Sequence, residues 1–491
     1  MNHFQTVLIA NRGAIARRIA RTCKELGYKV LMIYAQNDRH LPLLEIADEV
    51  YCCDYTAAAD IIALAQSTRA AVHPGYGFLS ERADFAAACA EAGVPFIGPD
   101  ATALAIAGQK HRCAERLSEM QVPLLPHVIL PEQELSSAGL TVQSTMTYPV
   151  MVKPTAAGGG LGMQWVDHPE QLAEALQMAT LMGQKYFQQG DVLIEKALES
   201  ARHIEVQILA DRFGQVKAVG HRECSLQRRR QKVFEESPAV GLPGQHLREM
   251  LACAEHIAQH LGLNQVCTVE FLWDGRQFWF LEVNPRLQVE HAVTEVRCQS
   301  DLVACQLAIA QGESLDSVLD TFFTGRGHAM EARIYAENPY TGLPAGGRIV
   351  HVEYPTGQGI RLDSGIYPGM QVSTSYDPLL MKVIAHATDR DTCRQRLLYA
   401  LRTLIIQGED GFATNQPELI QALEQPDVVA GHYHTRSLEH PLTTASDTSS
   451  AASFMTALTG MSQSRMSQPR IQRESQEHSA YAHWRPVHWK L

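Results

Sequence analysis

The chain has 491 residues, 45% hydrophobic and 19% charged, which allows two to four domains with their own cores and excludes wholesale disorder. Its 42 basic and 53 acidic side chains leave a net charge of −11, which argues against nucleic-acid binding but permits a local cationic pocket around a small anion. The eleven cysteines are scattered with only Cys52-Cys53 adjacent, so no disulfide framework or zinc ribbon is readable, and no apolar stretch reaches bilayer length; the expectation is a reducing cytoplasm and no membrane.

The start, Met1–Gly13, has no basic segment and too short an apolar run for a signal peptide. Thr6–Ala10 reads as a buried strand, Asn11-Arg12-Gly13 as a turn, Ala14–Leu26 as a helix closed by Gly27, and Lys29–Tyr34 as a second strand. This is a βαβ unit, whose parallel sheet leaves loops at its strand ends for a ligand. No GxGxxG follows the first strand, so a dinucleotide fingerprint is absent. Ala70–Val72 leads into His73-Pro-Gly-Tyr76-Gly-Phe-Leu-Ser-Glu81, either a plain strand-to-helix loop or a loop presenting Tyr76 against something flat. A helix from about Arg82 to Ala92 and the Val94–Gly98 segment end this unit, with a boundary near residue 105.

A helix carrying Lys110 and Arg112 precedes the proline-rich connection Pro123–Pro131. Tyr148–Lys153 is a short strand ending in lysine, followed by Pro-Thr-Ala-Ala-Gly158-Gly159-Gly160-Leu161-Gly162-Met163. Such a loop is either a flexible turn or a cover whose N–H groups close on phosphate while the lysine supplies charge. It is not a Walker A pattern. Gly190–Lys196 reads as another strand with a charged end, and His203–Leu209 alternates polar and apolar like a half-buried strand. Gln227-Arg-Arg-Arg230-Gln-Lys232 is either a solvated charge run or an anion site.

The stretch Gln265–Glu295 places Glu270, Glu282, Arg286 and Glu290 within an otherwise apolar hairpin, a costly arrangement unless cations, hydrogen bonds or a shared ligand compensate. Faces alternate along a strand, so loop length decides which residues meet. A two-residue Asp274-Gly275 turn puts Glu270 and Glu282 on opposite faces. A three-residue Trp273-Asp274-Gly275 loop puts them on one face with Asn284, and this is the predicted register. The resulting oxygen donors suit Mg²⁺ held through a nucleotide's phosphates; the competing reading is a structural network with arginines.

Gly327–Tyr335 alternates as a strand in which Glu331 and Arg333 share a face, consistent with a pair within the strand. Arg348–Glu353, Gly369–Ser375 and Leu379–His386 continue an all-β pattern, and Thr392–Ile405 is an amphipathic helix closing the folded part. From about Pro441 the composition becomes that of a linker or disordered tail over 441–491.

Taken in order over roughly residues 4–440, AVHPGYGFLSE, the lysine-ended glycine loop, EVQILAD, QRRRQK, EVNPRLQVEH and MEARIYAE strongly resemble biotin carboxylase, an ATP-grasp module of acyl-CoA, pyruvate and urea carboxylases. The resemblance implies an α/β and α+β architecture. It comprises a flavodoxin-like (preATP-grasp) N-terminal domain at 1–105, an ATP-grasp domain at 106–325 with a mobile lid about 125–200, and a β-rich C-terminal domain at 326–440. It also implies that bicarbonate is joined to N1′ of biotin at the expense of ATP, with Mg²⁺ or Mn²⁺, through carboxyphosphate.

By that resemblance Lys110, Lys153, Glu195, Lys196, Leu198, His203 and Gln227 line the nucleotide pocket, and Gly158, Gly159, Gly160 and Gly162 close over phosphate. Glu270 and Glu282 hold the metal, with Asn284 beside them. Lys232, Arg286, Gln288 and Val289 surround bicarbonate, and Glu290 is the general base. Arg333 stabilises the biotin enolate, Tyr76 lies near the biotin ring, and Arg18 and Arg361 match the family's dimer interface.

Ala14, Leu161, Arg230 and Ala292 depart from the expected pattern, where glutamate, a basic residue, histidine and proline are usual. None touches the base, the metal ligands or Arg333, so activity with altered ATP affinity is expected. The near-match to a biotin attachment site, Leu380-Met-Lys382-Val383, lies in an apolar strand and reads as structural. Biotin is therefore expected on a separate carrier, with a carboxyltransferase as the further partner and a homodimer as the assembly; Tyr481–Leu491 reads either as the start of a segment that a longer subunit would continue or as a docking end for a separate partner. The alternatives are another ATP-grasp ligase or a catalytically weak ATP-binding scaffold.

Overall fold

The computed structural model describes residues 3–39, 46–108, 113, 116–117, 120–137, 146–155, 162–319 and 325–438. Lys110, Arg112, Gly158, Gly159, Gly160, Leu161 and the 441–491 tail lie outside them. The described residues fall in one compact unit ending at Pro441.

Short apolar strands separated by helices give the first layer. Strands β1 (Thr6–Ile9), β2 (Lys29–Tyr34), β3 (Glu49–Cys52) and β4 (Ala71–His73) form a parallel sheet in the order β3-β2-β1-β4. Central β1 is buried because its neighbours pair with it on both edges and the helix Gly13–Glu25 covers one face. At the strand ends, Asn11 donates its amide to the carbonyls of Pro74 at 2.6 Å and Tyr76 at 2.8 Å, tying the first turn to the Tyr76 loop. Gly75 is required there: its φ is +64°, and a Cβ would lie 2.9 Å from the Asn11 amide.

Strands β5 (His127–Leu130), β6 (Val150–Pro154), β7 (Gln164–Val166) and β8 (Val192–Lys196) make an antiparallel sheet in the order β5-β8-β6-β7, packed on the helix Leu172–Phe187. Next come β9 (Arg202–Ala210), β10 (Val216–Glu223), the two-residue hairpin partners β11 (Gln227–Arg228) and β12 (Gln231–Lys232), β13 (Phe234–Ser237), β14 (Val266–Trp273) and β15 (Phe278–Asn284). The chain continues through β16 (His328–Tyr335), β17 (Gly347–Glu353), β18 (Ile360–Ser364), β19 (Gln371–Val372), β20 (Leu379–Ala387) and β21 (Ile405–Gly408). One eight-stranded sheet runs β15-β14-β9-β10-β13-β16-β20-β18, so the division expected near 325 falls between strands of a single sheet.

Several expectations are corrected. β9 is buried on both faces, because its polar side is covered by Arg222 and Lys232 rather than water. Gly369–Ser375 yields only the two-residue β19. Thr392–Ile405 is the helix Arg390–Thr403, and β21 with the helices Gln416–Glu424 and Pro426–Ala430 extends the fold beyond it; Leu419, Ala422 and Leu423 bury against the core.

The hairpin loop has four residues, not three. Trp273 pairs with Phe278, and the Asp274 carboxylate accepts from the backbone N–H of Arg276 at 2.8 Å and Gln277 at 2.9 Å, and from the Trp279 indole at 2.9 Å. An even loop alone would send Glu282 to the wrong face. A register shift after Glu270 restores it, since Phe271 pairs with Phe280 while Glu270 pairs with Glu282. The extra residue, Leu281, is a bulge that re-aims the next side chain.

Candidate active site

Most of the side chains singled out in the sequence face one cleft of about 710 Å³, walled by the first sheet's loops, the β5–β8 sheet and the large sheet. Its floor is the β14–β15 hairpin. Glu270 is buried and Glu282 half-buried; Asn284 donates its amide to Glu270 Oε1 at 2.8 Å and Glu282 Oε1 at 3.4 Å. In this arrangement the Asn284 amide nitrogen faces the two carboxylates, and its Oδ1 accepts from Arg286 at 3.3 Å. Glu270 also meets His203 Nε2 at 2.7 Å, and His203, Glu205 and Glu270 bring ligand atoms within 4.8 Å of one another.

Lys232 is the hub. Its Nζ donates to Glu205 at 2.7 Å, Glu270 at 2.9 Å and Glu290 at 2.7 Å, carboxylates on β9, on β14 and at the start of the helix His291–Cys298. Burial alone would lower the lysine's pKa, but the three glutamates reverse this and hold it well above the ordinary range. Glu290 shows the converse: burial would raise its pKa, yet Lys232, Arg333 and Arg222 hold it well below. The same balance, led by Lys232 and His203 against burial, depresses Glu270. Arg333 donates to Glu290 Oε2 at 2.9 Å and lies 2.5 Å from Glu235 Oε1.

The pairing expected between Glu331 and Arg333 does not form. Arg333 turns to Glu235 and Glu290, while Glu331 faces Lys382 at 3.4 Å, because the partners on neighbouring strands approach more closely than residues two apart on one strand. The cationic run also divides. Arg228 pairs with Glu337 and Glu418, Arg229 donates to the carbonyls of Thr341 and Gly342, Arg230 lines the cleft and Lys232 enters it. Arg229 and Arg230 occupy the turn at φ +50° and +65°, strained for side chains with a Cβ, and this turn delivers Lys232.

Arg286 pairs with Glu81, from the loop after Tyr76, and donates to Gln288 Oε1 at 3.0 Å; Gln288 in turn donates to Glu270 at 3.0 Å. Tyr76, Leu198 and Val289 line the cleft. Lys153 meets Glu195 at 2.5 Å, and Gln227 bonds His203 Nδ1 at 2.9 Å. Gly162 sits at φ +73° against Pro154. Lys196 donates to the carbonyls of Thr147, Tyr148 and Pro149, so it holds the β6 connection while lining the cleft.

Arg18 and Arg361 meet within the chain: Glu295 accepts from both, with Asp301 beside Arg18 and Asp363 beside Arg361. Arg18 is buried there, so its guanidinium supplies no surface to a second copy, whereas Arg361 keeps a partly exposed edge.

Sequence reasoning missed five contributors. Glu205, Arg222 and Glu235 were hidden among strand residues, although a polar residue at every second position in β9 was a usable signal. Glu81 closes on Arg286, and Lys382, read as structural, donates to the Val289 carbonyl at 2.5 Å and so fixes the backbone before Glu290.

Comparison with known proteins gives matches along the whole described unit. Family models described as "Biotin carboxylase, N-terminal domain", "Carbamoyl-phosphate synthase L chain, ATP binding domain" and "Biotin carboxylase C-terminal domain" match residues 3–104, 109–318 and 331–440. The chain is 40% identical to the biotin carboxylase of Pseudomonas aeruginosa over 419 residues, 84% of this chain and 92% of that one. It superposes on a biotin carboxylase–β-γ-ATP complex from Campylobacter jejuni with a TM-score of 0.85 at 34% identity, covering 89% and 99% of the two chains. It superposes equally on the biotin carboxylase domain dimer of Hydrogenobacter thermophilus 2-oxoglutarate carboxylase, in complex with MgADP, ADP and bicarbonate. There the TM-score is 0.84 at 35% identity, with 89% and 97% covered.

Proposed function

The chain belongs to the biotin carboxylase family of ATP-grasp ligases, and we propose that it joins bicarbonate to N1′ of a biotin borne on a separate carrier polypeptide, at the expense of ATP. The observation that carries the residue roles is Lys232 held at 2.7–2.9 Å from Glu205, Glu270 and Glu290, beside Arg333 and above the Glu270–Glu282 pair. One cation among three carboxylates is a site from which an incoming anion can draw the lysine.

The nucleotide lies against Lys153, Glu195, Leu198, His203 and Gln227, with Gly162 toward its phosphates. Glu270 and Glu282, opposed on one face, are hard oxygen donors that fit Mg²⁺ or Mn²⁺, and Asn284 orients them. When bound, such an ion neutralises charge on the phosphoryl group in transfer.

Bicarbonate takes the place between Lys232, Arg286, Gln288 and Val289. Glu290 is ionised and ready to accept its proton, and its affinity for that proton rises as Lys232 turns toward the substrate. The freed oxygen attacks the γ-phosphorus, ADP leaves, and carboxyphosphate forms. Carboxyphosphate then gives CO₂ and phosphate, the phosphate takes the N1′ proton, and N1′ adds to the CO₂. Arg333 faces the biotin ureido oxygen, where negative charge develops in between. Tyr76 packs near the ring.

We place domain divisions near 105 and 325, and read the chain as the first half of a carboxylase that works with a carrier, a carboxyltransferase and a second copy of itself. All eleven cysteines are free, which supports a reducing cytoplasm, and no helix among the described residues is long and apolar enough to cross a membrane. The test is ADP release that requires both bicarbonate and free biotin. It is expected in the natural enzyme and absent in Glu290→Gln; equal turnover by the two proteins refutes the assignment of the base.

A further inference from the structure

Behind Arg333, on the side away from Glu290, two carboxylates stand directly opposite each other. Glu235 on β13 pairs in register with Glu331 on β16, so their side chains leave the same face of the sheet. Both are fully buried; the nearest cation to Glu235 is Arg333, 2.5 Å from its Oε1, and the nearest to Glu331 is Lys382 at 3.4 Å. Two ionised carboxylates so placed repel each other, and one of the pair keeps a proton unless cations suffice.

The cations do not suffice. On the pair's own strand, Arg333 divides one nitrogen between Glu235 at 2.5 Å and Glu290 at 2.9 Å, and Tyr335 lies beyond it. From β20, Lys382 stands 3.4 Å from Glu331 but also 3.5 Å from Asp363 on β18, which Arg361 pairs in turn. Lys232, before β13, is committed to three other glutamates. The remaining titratable neighbours, Tyr76 from the first domain's loop and His291 beside Lys382, bring no positive charge: burial drives the tyrosine pKa up and the histidine pKa down.

We propose that Glu235 and Glu331 hold one proton between them and act as a positioning pair for Arg333, leaving its guanidinium available to Glu290 and to biotin. This rests on the biotin carboxylase reading of the site. Each carboxylate is pushed upward chiefly by burial, Glu235 to about 7 and Glu331 to about 8. Loss of the shared proton, which leaves to solvent, places a second negative charge beside Arg333. The guanidinium is then drawn toward the doubly ionised pair, away from Glu290 and the cleft, and turnover falls on the alkaline side.

Two measurements test this, one independent of catalysis. Infrared spectra near neutral pH should show a buried neutral carboxyl band in the natural protein that disappears in both Glu235→Gln and Glu331→Gln, since the remaining carboxylate then ionises against Arg333 or Lys382. Absence of the band from the natural protein, or its persistence in either variant, overturns the sharing even if the enzyme is active.

In the biotin-dependent assay, Glu331→Gln should keep neutral-pH turnover and lose the part of the alkaline decline that the natural enzyme shows beyond it. Glu235→Gln should raise the KM for free biotin about tenfold with little change in kcat, as expected for one displaced charge-assisted contact. An unchanged alkaline limb in Glu331→Gln, or equal losses of kcat in both variants, overturns the positioning role.

Discussion

Replacing Lys232 with methionine removes the cation that Glu205, Glu270 and Glu290 share while keeping the aliphatic stem. Breaking a buried ion pair from one side costs about 3–5 kcal/mol because the other charge is left unmatched. Here each glutamate retains another donor: Arg222 on Glu205, His203, Asn284 and Gln288 on Glu270, and Arg333 on Glu290. The cost therefore belongs at the low end, about 3 kcal/mol at neutral pH.

The dependence on pH has a definite sign. In the natural enzyme Glu290 and Glu270 are held below the unfolded-state carboxylate value, so they favour folding at neutral pH, and that contribution fades only as the pH falls toward their depressed folded values. Without Lys232, burial and mutual repulsion dominate and at least one carboxylate titrates above its unfolded value. Stability then rises as the pH is lowered, because the folded state binds the extra proton. Urea transitions followed by the fluorescence of Trp273 and Trp279, which sit on the hairpin itself, would measure this at neutral pH and at about pH 5. The variant's deficit should shrink by at least about 1 kcal/mol on acidification, roughly one pKa unit of differential interaction. A deficit that is the same at both pH values, or below about 1 kcal/mol at neutral pH, refutes the account of Lys232 as the shared counter-ion.

Three further outcomes follow from separate contacts. Arg436 stacks over Trp165 with 4.4 Å from guanidinium carbon to ring centroid, joining the β5–β8 sheet to the segment after the last helix at the mouth of the cleft. Trp165→Ala should raise the KM for ATP about threefold, the equivalent of a contact worth about 0.5–1 kcal/mol, with kcat unchanged in steady-state kinetics. Asp274→Ala removes the acceptor that organises the four-residue loop and should lower stability by about 1–2 kcal/mol while raising the Mg²⁺ concentration for half-maximal activity; calorimetry and a metal titration would check both. Thiol labelling of the native enzyme should modify exposed Cys52 first and leave activity intact, since the buried Cys89, Cys113 and Cys393 thiols are pushed up to about 12 by burial; mass mapping after brief labelling would show the order.

The sequence alone determined the elements whose periodicity is local and the chemistry whose residues are close in the chain. β2 spans the predicted Lys29–Tyr34, β14 spans the predicted Val266–Trp273, and the carboxylates of the hairpin announced themselves because charge in an apolar strand is costly. The shared face of Glu270 and Glu282 was reached by a wrong route, since loop parity is local but the bulge at Leu281 that compensates an even loop has no mark in the residue types. Tertiary structure alone decided which charges meet. Glu205 and Gln207 looked like the wet side of β9 until Arg222 and Lys232 covered them, and Glu331 was matched to Arg333 until the strands on either side brought nearer partners. The physical reason is the same in each case: the interaction of charges depends on distance through space and on the water excluded between them, and neither quantity is written in spacing along the chain.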